Sequence, residues 1–225
     1  MTLKKNDFIE IDFTAKTSDG EVFDSTDKSE LEKIGSQAPA KPFVFALGQD
    51  MFLKSVDEFL TGKDIGKYKV ELEAGKAFGL RQPDLVQLMP AAVFKEHKLN
   101  PFPGASFNFD GRVGKVLSVS GGRIRIDFNN PIAGKDVVYE LEVKRKIEDQ
   151  KEKVESFMEF LFRRPLKFEI KDKKIIITLS KEEAQMKQFV EMFEDKFKEV
   201  FKMGVEVKVP EVKEDIKPKT TEQSQ

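Results

Sequence analysis

Several of the side chains that most often carry covalent or acid–base chemistry are missing or scarce in this protein. Among 225 residues there is no Cys, no Trp, one His and two Tyr, against 21 Phe. A thiol nucleophile and a Cys-based metal site are thereby excluded. A nucleophile–base constellation would rest on His97 alone. His97 follows Lys95 and Glu96 and precedes Lys98, the composition of a solvated helix end or loop, and no nucleophile motif accompanies it. What the chain holds in quantity is charged side chains and phenyl rings. That combination suits an apolar pocket that binds its substrate and reshapes it.

The elements that must position such a pocket can be read from composition and periodicity. Lys and Arg number 39, Asp and Glu 40, so the chain lacks the basic excess that drives binding to nucleic acid or anionic membranes. Hydrophobic residues make up 39% and charged residues 35%, enough for real cores under a densely charged surface, in one to three domains. No apolar run approaches the ~18 residues of a membrane span. The opening Met1–Asp7 lacks the apolar stretch of a signal peptide, and without Cys no disulfide scaffold forms, so a cytosolic protein is expected.

Alternation over residues 6–16 predicts a half-buried strand, a turn at Ser18-Asp19-Gly20, and extended structure resuming over Glu21–Ser25. Residues 26–41 read as loop and 42–47 as a strand closed by Gly48. Residues 50–61 read as a short helix with Phe52, Val56, Phe59 and Leu60 on one side, and 67–72 as a further strand. From Leu85 to Phe128 closely spaced Pro and Gly separate short alternating runs, with Gly121-Gly122 as a hairpin turn, which predicts a small β-domain. Residues 137–143 return to the earlier strand pattern. Then come a helix from Glu148 to Phe162, strands over 166–171 and 175–179, a long amphipathic helix from Lys181 to Phe201 ended by Gly204, a last strand over 205–209, and a polar tail, 211–225, expected to be disordered.

Four blocks in order carry a resemblance. They are Phe13-Thr14 with Asp19-Gly20-Glu21-Val22-Phe23-Asp24-Ser25, then Pro42-Phe43-Val44-Phe45-Ala46-Leu47-Gly48, then Ala77-Phe78-Gly79, then Val138-Tyr139-Glu140-Leu141-Glu142-Val143. Together they resemble FKBP-type peptidyl-prolyl cis-trans isomerases over about residues 4–146. The block from Ala77-Phe78-Gly79 through Asp84–Pro90, with the return at Asn130–Gly134, looks like the SlyD branch, in which a chaperone module is inserted in the flap; the tail from about 150 on looks like the extra domain of long archaeal members. The resemblance implies an α+β fold: an FKBP-like antiparallel sheet wrapped on a short helix (1–84 plus 129–147), an inserted β-rich chaperone domain (85–128), and a C-terminal αββαβ domain (148–210).

It also implies site residues. Phe13, Phe23, Phe43, Val56, Phe78 and Tyr139 match the pocket wall and floor, Asp24 the carboxylate near the twisting amide, and Phe52 and Leu53 the segment whose backbone N–H binds the substrate carbonyl. Val56 stands where Trp is frequent, and Phe13 and Phe78 stand where Tyr is frequent, so the hydroxyl donated at the second of these is missing. In the insert, Leu88, Met89, Val93, Phe94, Leu99, Phe102, Phe107 and Phe109 are expected to form a groove for unfolded chains. No metal or other cofactor is expected. The implied partners are unfolded polypeptides with X-Pro bonds, not nucleic acid or membrane, with a homodimer through the C-terminal domain as a further expectation. The rival reading is a non-catalytic holdase using the same folds.

Overall fold

A computed structural model describes residues 2–209. The tail from 211 onward, read as disordered, lies outside them. The chain divides after Lys146 into two compact units. In chain order the first contains β1 (Phe8–Thr17), β2 (Val22–Ser25), α1 (Lys28–Lys33), β3 (Phe43–Ala46), α2 (Lys54–Leu60), β4 (Gly66–Leu72), β5 (Val86–Pro90), α3 (Ala91–Glu96), β6 (Ser106–Phe109), β7 (Arg112–Ser120), β8 (Arg123–Asp127) and β9 (Val137–Lys146).

Alternation places Ile9, Ile11, Phe13 and Ala15 of β1 and Val137, Tyr139, Leu141 and Val143 of β9 in one core. β9 pairs antiparallel with β1 on one side and with β4 on the other. The free edge of β1 is shared, its first half pairing with β3 and its second with β2. α2 packs near β4, with Phe59 edge-on to Tyr68 at 5.9 Å. The other face of the sheet is laced with ion pairs, among them Lys16–Glu140 at 2.8 Å and Arg145–Glu10 at 2.6 Å.

Two readings of this unit need correction. Residues 26–41 are not all loop: Asp27 caps α1 by accepting from the N–H groups of Ser29 and Glu30, a helix start that charge and small residues had masked. α2 begins only at Lys54, so Phe52 is not on a helical face with Val56 but lies in the bend ahead of it.

Residues 86–127 form a second sheet, in order β5-β8-β7-β6, all antiparallel. Gly121 and Gly122 both take positive φ, 56° and 74°, as a tight right-twisted hairpin demands. The core here is Phe94, Val116, Ile124 and Ile126. Gly114 is required by close approach, since a Cβ there would stand 2.5 Å from Ile126 and 2.7 Å from Phe128. Gly114→Val should therefore cost this sheet about 1–3 kcal/mol. Hydrogen exchange should then accelerate in β7 and β8 and leave β1 and β9 protected; equal exchange in native and variant protein would show that the contact relaxes freely.

The second unit contains α4 (Gln150–Phe162), β10 (Lys167–Lys171), β11 (Lys174–Thr178), α5 (Lys187–Glu191), α6 (Glu194–Phe201) and β12 (Gly204–Lys208). β10 and β11 form a hairpin whose turn residues Asp172 and Lys173 take φ of 50° and 58°, and β12 adds to β11 in parallel. The expected single helix over 181–201 is broken. Phe189 and Phe193 pack on Phe162, whereas Phe197 and Phe201 pack on Phe157. Phe157 and Phe162 are five positions apart on α4 and point about 140° apart, so one straight partner helix cannot follow both. Gly204 is not the helix cap: Lys202 takes the left-handed conformation instead (φ 58°), its N–H reaching the Lys198 carbonyl, and Gly204 opens β12. No helix among the described residues is long and apolar enough to cross a membrane.

Candidate active site

Seven rings join in one unbroken run. Phe43 meets Phe45 (5.6 Å between centroids), both meet Phe52 (5.6 and 5.2 Å), and Phe52 meets Phe13 (5.1 Å) and Tyr139 (5.7 Å). Phe23 then connects Tyr139 (6.2 Å) to Phe78 (5.5 Å). Phe23, Phe43, Phe52 and Phe78 keep part of their surface open, whereas Phe13, Phe45 and Tyr139 are buried behind them. An apolar wall of this kind can accept an apolar ring.

Strand register explains the arrangement. Ala15 lies opposite Asp24 on one side and Tyr139 on the other, so Asp24, Ala15 and Tyr139 form a row on the face that also carries Phe13. Strict alternation would put Phe23 and Asp24 on opposite faces. It fails because the pairing passes from Ala15–Asp24 to Lys16–Val22, leaving Phe23 as a bulge. A bulge re-aims its side chain, and Phe23 turns onto Tyr139 and Phe78.

Backbone contacts hold the rest. The Thr26 hydroxyl accepts from Phe13 N–H at 2.9 Å, and the Ser25 hydroxyl donates to the Phe13 carbonyl at 3.0 Å. The loop bearing Phe52 is clasped by Asp57, buried in α2, whose carboxylate accepts from Gly48 N–H at 2.8 Å. The Ser55 hydroxyl donates to the Lys76 carbonyl at 2.6 Å, tying α2 to the segment that ends in Phe78.

The electrostatics follow from this crowding. Asp24 is exposed as a residue, yet neighbouring atoms desolvate its carboxyl and raise its pKa, with a smaller opposing contribution from Ser25 N–H. The Tyr139 phenol is pushed up by burial and, secondarily, by the Asp24 charge, so it stays protonated at any physiological pH. A carboxyl whose pKa rises on folding favours the native state below its unfolded pKa of about 3.9, and that contribution is lost as pH climbs through the native value. Asp24→Asn should therefore remove a decline in stability between about pH 4 and the raised native pKa. Denaturant melts of both proteins across that range would show it; parallel pH curves would count against a raised Asp24 pKa.

The expected site residues divide three ways. Phe13, Phe23, Asp24, Phe43, Phe52, Phe78 and Tyr139 come together, and Leu53, half-buried, caps α2 beside them. Val56 is wholly buried and offers a substrate no surface in this conformation. Phe45, adjoining both Phe43 and Phe52, had no assigned role; its place in the same block of sequence was the available signal. In the insert, Leu88, Leu99 and Phe102 are exposed at 60%, 37% and 59%. Met89, Val93, Phe107 and Phe109 are partly buried against the core. Phe94 is corrected: at 1% exposure it is the centre of that core, lying edge-on to Phe107 and Phe109.

Comparison with known proteins agrees with this geometry. The family model for FKBP-type peptidyl-prolyl cis-trans isomerases matches residues 1–95, and a model described as the IF domain of FKBP26 matches residues 87–132. The FKBP-type 16 kDa peptidyl-prolyl cis-trans isomerase of Escherichia coli is 30% identical over 148 residues, covering 63% of this chain and 92% of that protein. The short-type peptidyl-prolyl cis-trans isomerase of Methanocaldococcus jannaschii is 25% identical over 146 residues, with the same coverage of 63% and 92%. The FKBP-type isomerase SlyD of Aeromonas hydrophila is 26% identical over 141 residues, 60% of each chain. With its aromatic run in place and a relative 30% identical matched over 92% of its length, the chain belongs to the FKBP-type peptidyl-prolyl cis-trans isomerase family.

Proposed function

We propose that the ring cluster isomerises X-Pro bonds in unfolded polypeptides and that the segment 85–128 holds those polypeptides nearby. One observation carries the first part: rings from six separate segments converge on a half-open wall beside Asp24. Rotation about an X-Pro bond needs no proton transfer and no covalent intermediate. Its barrier, roughly 18–20 kcal/mol, comes from amide resonance. The twisted amide has lost charge separation, so an apolar wall favours it over the planar form relative to water. A thousandfold acceleration requires only about 4 kcal/mol. Asp24, with its crowded carboxyl, supplies a charge at one edge of the wall.

The second part is supported by the exposed Leu88, Leu99 and Phe102 on a module whose core is already filled by other residues. Apolar surface that a small core leaves outside is available to bind. Self-association through the second unit is supported by Phe189 and Met192, exposed at 44% and 78%.

The test is proline-limited refolding of a model protein. The native chain should accelerate it, and both Asp24→Ala and Phe78→Ala should reduce the acceleration by about tenfold or more, equivalent to ~1.4 kcal/mol of barrier. Identical rates with all three proteins, each still suppressing aggregation, would favour the holdase.

A further inference from the structure

We infer that the outer face of the insert's sheet takes unfolded segments that carry carboxylates two residues apart together with aliphatic side chains on the same face of the segment. This rests on the chaperone reading of residues 85–128 and adds the chemistry of the segment held. Ile124 and Ile126 are fully buried on one face of the sheet. Arg123 and Arg125, at the intervening positions of β8, therefore stand on the other. Leu88 of β5 lies opposite Arg125 and Pro90 opposite Arg123, with Ser118 and Ser120 of β7 on the far side. Lys115 shares this face, opposite Asp127 and Ser106, and Val113 precedes it by two. Leu88 and Val113 are 60% and 62% exposed, so the described residues leave this face open there, whereas Arg81 covers it at Asp127.

Its charge is unbalanced. Residues 85–128 hold six Lys and Arg against three Asp and Glu, in a chain whose net charge is −1. Of the three acids, Asp127 is buried and already bound to Arg81, outside the segment. Lys115, Arg123 and Arg125 make no ion pair among the described residues. The sheet of β1 and β9, by contrast, matches Lys16, Lys144, Arg145 and Lys146 to carboxylates.

Guanidinium groups bind carboxylates with paired donors, and here they stand beside aliphatic side chains. Arg123 and Arg125 are two residues apart, about 6.6–6.8 Å along a strand, which is the side-chain repeat of any extended peptide. An extended segment with Glu or Asp two residues apart meets both cations, and aliphatic residues at further positions of the same parity, which face the same way, meet Leu88 or Val113. A polyphosphate would satisfy the cations but leave the aliphatic surface unused, which favours a polypeptide.

The test uses the full chain and three labelled unstructured peptides of equal Leu and Val content, with Leu and Val at positions of one parity, differing only in whether Glu, Ser or Lys fills two positions of that same parity two residues apart. By fluorescence anisotropy at low salt the Glu peptide should bind about tenfold tighter than the Ser peptide, as two exposed ion pairs allow. The advantage should shrink above ~0.1 M salt, where screening acts within about 10 Å. The double variant Arg123→Ser with Arg125→Ser should equalise the Glu and Ser peptides; the corresponding double Lys variant should keep most of the preference. Both should isomerise a tetrapeptide at the native rate. Equal binding of all three peptides by the native chain overturns this inference and leaves the chaperone reading standing. Binding of none overturns both. A DNA oligonucleotide bound more tightly than the Glu peptide also overturns it, by giving the face to polyphosphates.

Discussion

Replacing residues 85–128 with a short loop should lower catalysis of protein refolding by about a hundredfold while leaving tetrapeptide isomerisation within about a factor of two. The excision is structurally clean. Phe128 N–H donates to the Leu85 carbonyl at 2.9 Å, so the two ends lie side by side, and Gln82 N–H donates to the Asn129 side chain at 2.8 Å just outside them. The residues most affected are Arg81, which loses Asp127 but is itself half-exposed, and the buried Asn129, which loses two hydrogen bonds to Asp127 and keeps those to Gln82. The ring cluster draws nothing from the excised segment: Phe78 and Tyr139 lie on either side of it in sequence. The size of the effect follows from tethering. A segment held on the insert presents its prolyl bonds to the rings at an effective concentration near millimolar, so at micromolar substrate the gain is about 10²–10³. Parallel kinetics on an unfolded protein and a tetrapeptide measure this directly. Equal losses on both substrates would mean that the insert supports the catalytic unit rather than feeding it.

Phe52→Ala should reduce kcat/KM on a tetrapeptide by about a hundredfold, or ~2.7 kcal/mol of transition-state stabilisation. It should also cost about 3 kcal/mol of stability, the low end for a Phe deletion because part of the ring is open. Phe52 is the hub of the run, touching Phe13, Phe43, Phe45 and Tyr139. Without it Phe43 and Phe45 separate from Phe13, Tyr139, Phe23 and Phe78, and water enters the wall. Phe59→Ala is the control. Phe59 packs on Tyr68 and lies under Lys63, away from the run, so it should lower stability and spare activity per folded molecule. Thermal melts and activity measured well below both midpoints separate the two effects. A Phe52→Ala protein within twofold of native activity would show that the rings act as core and not as a site.

Much of the strand framework was readable because period-two burial is local. β1, β9 and β4 alternate so regularly that their faces follow from the residues themselves. The hairpin at Gly121-Gly122 was equally legible, since the turn chemistry is written in two adjacent residues. Elements whose ends depend on distant partners were misplaced. The helix expected over 50–61 starts at Lys54 because Phe52 is drawn to the rings of four other residues. The helix expected over 181–201 breaks because its stripe answers to two differently directed rings on α4. Phe94 and Phe102 look alike as residues, yet one fills a core and the other faces solvent.

Taken alone, the amino-acid sequence determined which chemistry was closed to this protein: without Cys no thiol could act, with one His any triad rested on His97, and four ordered blocks pointed to the isomerase family. Only tertiary structure decided which rings share a wall. Phe23 and Asp24 are neighbours that alternation sends to opposite faces, and a bulge against Ala15 brings them to one. Residue types and local periods are properties of a few adjacent positions, whereas a bulge, a broken helix or a choice between core and surface is settled by whatever packs across from it.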